Sequence, residues 1–171
     1  MNTKVVAIST TVVMSLFVAS AAVVASAAIG QQSQLSHFTA VLSGKSAIPP
    51  NLSTVATGKA TFTLTDGGKK MLYTVNATKI NHVDNVVLVF STGGRASNVV
   101  LLRTGTQHGA TGPINGVLVQ GNISSSDLVG PLKGKQISDL VKDMLDGNID
   151  LWVTTTTNLM IAGKITPAGA A

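Results

Sequence analysis

Residues 56–77 read ATGKATFTLTDGGKKMLYTVNA, and the order of residue types in this stretch decides the fold class. Ala60, Phe62 and Leu64 alternate with Lys59, Thr61 and Thr63, which puts apolar groups on one face of an extended chain and polar groups on the other. Asp66-Gly67-Gly68 then supplies hairpin chemistry, because glycine reaches positive φ without a steric cost. Met71, Tyr73 and Val75 resume the two-residue period, so the segment predicts a half-buried antiparallel hairpin.

The pattern continues in both directions. His37 to Leu42 alternates as a first strand, and Pro49-Pro50 ends any regular element before the hairpin. Val86 to Phe90 is a continuous apolar run, the signature of a strand covered on both faces. Asn98 to Arg103, Asn115 to Asn122, Asp150 to Thr156 and Met160 to Thr166 are further strands, with a turn near Asn158 between the last two and a loop from Gly105 to Gly112. Ser124 to Asp127 carries capping chemistry for a short helical turn at Leu128. Ile137, Leu140, Val141, Met144 and Leu145 recur at helical spacing, and Gly147 is placed to stop the helix. The sum is a mostly β chain: an antiparallel β-sandwich or Greek-key barrel of about eight strands with one short helix at about 136–146. Phe62, Leu88, Phe90, Trp152 and Ile161 are its predicted core.

Composition agrees and excludes much else. Of 171 residues, 44% are hydrophobic and 11% charged; all seven acids are aspartate, and Lys plus Arg number 12, for a formal charge of +5. With no cysteine there are no disulfides, thiolate nucleophiles or Cys-ligated metals. Two arginines, Arg95 and Arg103, and no basic run beyond Lys69-Lys70 argue against nucleic acid despite the positive charge.

The first residues have another character. Lys4 is the sole charge before an apolar run, and Ala25-Ser26-Ala27 has the small-x-small form of a signal peptidase site. Residues 1–27 read as a signal peptide, with an uncleaved membrane anchor as the alternative, and Ala28 as the mature N-terminus. Residues 28–35 are a flexible lead-in, 36–166 the folded domain and 167–171 a tail. The expected location is secreted or at the cell surface, where Asn51, Asn76 and Asn122 stand in glycosylation sequons.

Candidate chemistry is sparse. No Gly-x-Ser-x-Gly occurs, and the four-threonine run from Thr154 to Thr157 reads as strand. His37, His82 and His108 fall in separate elements and read as surface residues. Asp146, Asn148 and Asp150 imitate the start of a calcium loop, without its closing glutamate. The expectation is therefore no catalytic residue, no cofactor and no metal.

Phe38 to Gly44, Ile48-Pro49-Pro50, Ala56 to Ala60, Gly121-Asn122-Ile123, Gly130-Pro131-Leu132 and Ile161 to Ile165, in this order, resemble the CHRD domain, the module first described in chordin and found in many secreted microbial proteins. The resemblance runs from about Phe38 to Ile165 and implies a domain of this type. Sequences of that family usually carry a His-x-His aligned with Leu88-Val89-Phe90 and another histidine aligned with Thr154, so this chain has lost the imidazoles of any metal or redox site in its relatives. On that alignment, Leu88→His, Phe90→His and Thr154→His together would rebuild a metal cluster. The expected function is a non-enzymatic module acting by protein or glycan contact or as an envelope or matrix unit. The alternative is a metal-binding or redox protein with rearranged ligands, His82 and His108 with a carboxylate. A third is self-association, in which residues 28–36 pair with a neighbour's sheet edge.

Overall fold

The computed structural model describes residues 36–47, 49–50, 53–103, 113–157 and 160–169. The predicted leader and lead-in, Asn51, His108 and the turn at Asn158 lie outside them. Nine strands follow in chain order: β1 (His37–Ser43), β2 (Thr57–Thr65), β3 (Lys70–Ile80), β4 (Val83–Thr92), β5 (Arg95–Arg103), β6 (Ile114–Ile123), β7 (Ile149–Thr155), β8 (Met160–Lys164) and β9 (Thr166–Pro167). Among the described residues one α-helix, α1 (Ile137–Leu145), stands between β6 and β7. The alternating segments all become strands, and the last predicted strand breaks at Ile165 so that Thr166 can pair with Thr39.

The strands form one antiparallel sheet, in the order β5-β4-β7-β8-β1-β2-β3-β6 with β9 beside β1, curled as a half-barrel. The expectation was a β-sandwich or a Greek-key barrel; the mostly β antiparallel fold with one helix is as expected, and the strands run as one curled sheet rather than two packed ones. What joins the halves is a narrow seam: β1 pairs with β8 at Ser43 and Ala162, and with β9 at Phe38 and Pro167 and at Thr39 and Thr166. Gly163 sits at that seam, where a Cβ would lie 2.1 Å from the carbonyl oxygen of Val41. No side chain fits there, so glycine lets the two backbones close the sheet.

The inward faces share one core. Phe38, Ala40 and Leu42 of β1, Ala60 and Phe62 of β2, Met71, Tyr73 and Val75 of β3, Val86 and Leu88 of β4, and Ile149, Leu151 and Val153 of β7 are buried together. Tyr73 lies over Gly121 of the neighbouring strand, its hydroxyl 2.9 Å from where a Cβ would stand. Ile137, Leu140 and Met144 bring α1 into the same core, whereas Leu145 is 40% exposed. The helix begins where the Asp139 carboxylate accepts from the Gln136 N–H at 2.9 Å and ends at Gly147, whose φ is +70°. The helical turn expected to start at Leu128 comes earlier, as a 3-10 turn at Ser125–Asp127 that ends at Leu128.

Of the predicted core, Phe62, Leu88 and Ile161 are fully buried, but Phe90 and Trp152 are only partly so. Phe90 faces inward near the end of β4; Trp152 points outward, between Val87 and Ala162 in the register. β4 is buried on both faces, as its unbroken apolar run implies: Val86 and Leu88 in the core, Val87 and Val89 on the other side.

Candidate functional site

β1, β2, β3 and β6 each place alternate residues outward, and their register aligns these into rows. Thr166, Thr39, Thr61, Thr74 and Gln120 form one row across β9, β1, β2, β3 and β6. On one side of it run His37, Thr63, Leu72 and Asn122; on the other, Val41, Lys59, Asn76 and Val117. Neighbours within a row are about 4.8 Å apart across strands, and rows about 6.6 Å apart along them. His37 Nδ1 and Thr63 Oγ1 share a hydrogen bond of 3.1 Å. Leu72, Val41 and Val117 are 50%, 71% and 56% exposed, single apolar residues within a hydroxyl and amide surface. Shallow depressions lie between β2 and β3 and between β3 and β6, the latter lined by Leu72, Thr74, Gln120 and Asn122.

Such a face can hydrogen-bond but has no chemistry of its own. Apart from Val41, Leu72 and Val117 its residues are hydroxyls and amides with one lysine and one histidine, and no carboxylate stands in these rows. The alternating threonines are visible in the sequence; the rows are not, since they depend on the register of strands far apart in the chain.

Two of the three sequons fall on this face. Asn76 and Asn122 are exposed and outward, four positions apart along β3 by their partners Asn76 and Leu72. The hydroxyl of the second sequon, Ser124, donates to Asp127 Oδ2 at 2.7 Å.

The other sequence candidates do not converge. Asp146 accepts from Lys142 Nζ at 2.6 Å, and Asp150 pairs with Lys164 at 3.6 Å, while Lys164 also donates to the Gly147 carbonyl. The Asn148 side chain is taken too, its oxygen by Thr92 at 3.2 Å and its amide by Asp143. Burial, and then the charge of Asp146, push the Asp143 carboxyl above its ordinary range, against the opposing pull of Lys142. These contacts describe a helix end sewn to β8, not a calcium loop. His82 lies in the turn from β3 to β4. Among the described residues no three His, Asp or Glu side chains gather as a metal site would need.

The register also corrects the expectation for the histidine positions. Leu88 and Phe90 oppose Leu151 and Ile149 on the inner face, but Thr154 opposes Asn85 on the outer one. A sheet separates the three, so imidazoles at 88, 90 and 154 could not share an ion.

Burial raises the Tyr73 phenol above its usual range, and the nearby Asp127 charge adds to the shift. That group faces the core and does not serve the outer face. Among the described residues no helix is long and apolar enough to cross a membrane.

A family model described as the CHRD domain matches residues 38–164. No curated protein and no solved structure matches the chain.

Proposed function

The chain belongs to the CHRD domain family, whose members are generally non-enzymatic and occur in extracellular proteins, and from that premise we propose a secreted or cell-surface module that docks a glycan on the outer face of β1, β2, β3 and β6. The observation that carries this reading is the row from Thr166 to Gln120, flanked by His37, Lys59, Asn76 and Asn122. Hydroxyls and amides repeated across a strand face meet a hydroxylated polymer with many individually weak bonds. A protein partner would instead favour aromatic or arginine anchors, and these rows hold neither.

The test is retention on immobilised polysaccharides, with Thr61→Arg placing a bulky group at the centre of the row. At so exposed a position the fold should change by no more than about 0.5 kcal/mol. Retention of the parent chain by at least one polysaccharide, lost in Thr61→Arg, is expected. A parent that no polysaccharide retains, or a variant retained equally well, overturns the reading. Sequon use bears on it directly: sugar found on Asn76 or Asn122 of the natural protein would cover the face and exclude docking there.

A further inference from the structure

Where β3 hands over to β4, two residues other than glycine take the left-handed backbone: Lys79 with φ +57° and His82 with φ +50°. L side chains disfavour this conformation, and it persists only where other bonds fix the chain. Both residues are fixed from outside. The Lys79 N–H donates to Asn115 Oδ1 at 2.9 Å, and the His82 carbonyl accepts from the Thr156 N–H at 3.0 Å. Glycine would take both positions without strain, as it does at Gly67, Gly93 and Gly94. Lysine and histidine stand there nonetheless, and both side chains belong to one concavity.

Lys79, Asn81, His82, Thr155 and Thr157 line a single pocket. Thr155 is buried at its base, with its hydroxyl 3.0 Å from that of Thr157. The four-threonine run thus turns two of its hydroxyls toward one concavity. Lysine brings three N–H donors and a positive charge, the imidazole donates in either protonation state, and the Asn81 amide and the Thr157 hydroxyl can donate as well. Among the described residues no carboxylate lines the pocket; Asp84, two positions past His82, accepts from the Asn85 side chain at 2.6 Å. A concave set of donors with one fixed positive charge is complementary to negative oxygen.

We propose that this pocket binds an oxyanion group, a carboxylate or a sulfate, either free or carried on an acidic glycan, with Lys79 supplying the charge and His82, Asn81 and Thr157 the further donors. The proposal does not depend on docking at the outer face. It also gives the strained turn a reason: Lys79 and His82 are held in place so that both side chains meet one ligand.

Amide chemical shifts of the full chain, titrated at constant ionic strength with inorganic sulfate and separately with an oligogalacturonate, test it. Saturating shifts confined to residues 79–82 and 155–157 are expected. Saturation by sulfate identifies a free-ion site and tighter saturation by the uronate a glycan site, and either result supports the proposal. Lys79→Asn keeps a residue at ease in the left-handed region and removes the charge, so affinity should fall roughly tenfold. Lys133→Gln, at an exposed lysine that lines neither the pocket nor the outer rows, should bind as the parent does. Lys79→Gly should bind poorly while its denaturation midpoint equals or exceeds the parent's, which a merely structural lysine would not give. Shifts that grow without saturating for both probes, or a Lys79→Asn variant that binds like the parent, overturn it.

Discussion

The half of the sheet made of β1, β2, β3 and β6 turns hydroxyls and amides to the outside, while the half made of β8, β7, β4 and β5 carries apolar groups on both faces around β4. In the first, Phe62 and Val75 are buried and Thr61 and Thr74 reach outward. In the second, Val87, Val89 and Ala162 are buried on the outer side and Trp152 is half-buried among them. One sheet thus presents two surfaces among the described residues, a polar one that is exposed and an apolar one that is largely covered. Its two edges differ as well. Leu128 bridges to Val100 and the Val129 N–H donates to the Val99 carbonyl along β5, whereas β6 is interrupted by register shifts against β3. Both devices blunt an edge that would otherwise invite another strand.

The seam between the halves is the place where the contrast can be broken most severely. Gly163→Ala would set a methyl group 2.1 Å from the Val41 oxygen. Because the obstacle is backbone, relief requires β1 and β8 to separate, and a loss above about 4 kcal/mol is expected. Denaturant unfolding of the purified variant checks this. A midpoint equal to the parent's would mean that the halves do not meet there.

A smaller effect distinguishes depth within β4. Leu88→Ala empties a fully buried site and should cost about 2–5 kcal/mol. Phe90→Ala should cost roughly half of that, since part of the ring is already in water. Equal losses would place Phe90 deeper than its position at the end of the strand allows.

These two residues show how much of the fold is legible in the sequence. In β2 and β3, alternation carries the phase of the strand, so Phe62 and Tyr73 can be placed inward and Thr61 and Thr74 outward from the residues alone. In β4 the unbroken run reveals burial on both sides but not depth, and Phe90 looks as buried as Leu88. Trp152 misleads for another reason: Ile149, Leu151 and Val153 already fill the inner positions of β7, so the largest side chain of the strand lies outside. The same phase sends Thr154 outward, away from Leu88. The curl into one sheet rests on a few residue pairs between strands distant in the chain, Ser43 with Ala162 and Thr39 with Thr166 among them, which local pattern cannot reveal. The rows of the outer face are hidden likewise, since Thr39, Thr61, Thr74 and Thr166 meet only through register.

The smallest test exchanges one methyl for one hydroxyl in opposite directions on the two outer surfaces. Val87→Thr keeps the side-chain shape and buries an oxygen. Its partners across the strands, Trp152 and Leu101, offer no side-chain acceptor, since the indole only donates. The hydroxyl gives up water without replacement, and about 1–3 kcal/mol should be lost. Thr74→Val removes a hydroxyl from a half-exposed position between Thr61 and Gln120. Valine suits a strand as well as threonine does, so stability should move by no more than about 0.5 kcal/mol. Urea midpoints, compared only if the two variants unfold with the same slope, measure both changes. If Val87→Thr proves as harmless as Thr74→Val, water reaches the outer face of β4 as freely as that of β3. The two halves would then present equivalent surfaces, and the polar rows would lose their claim to be the docking side.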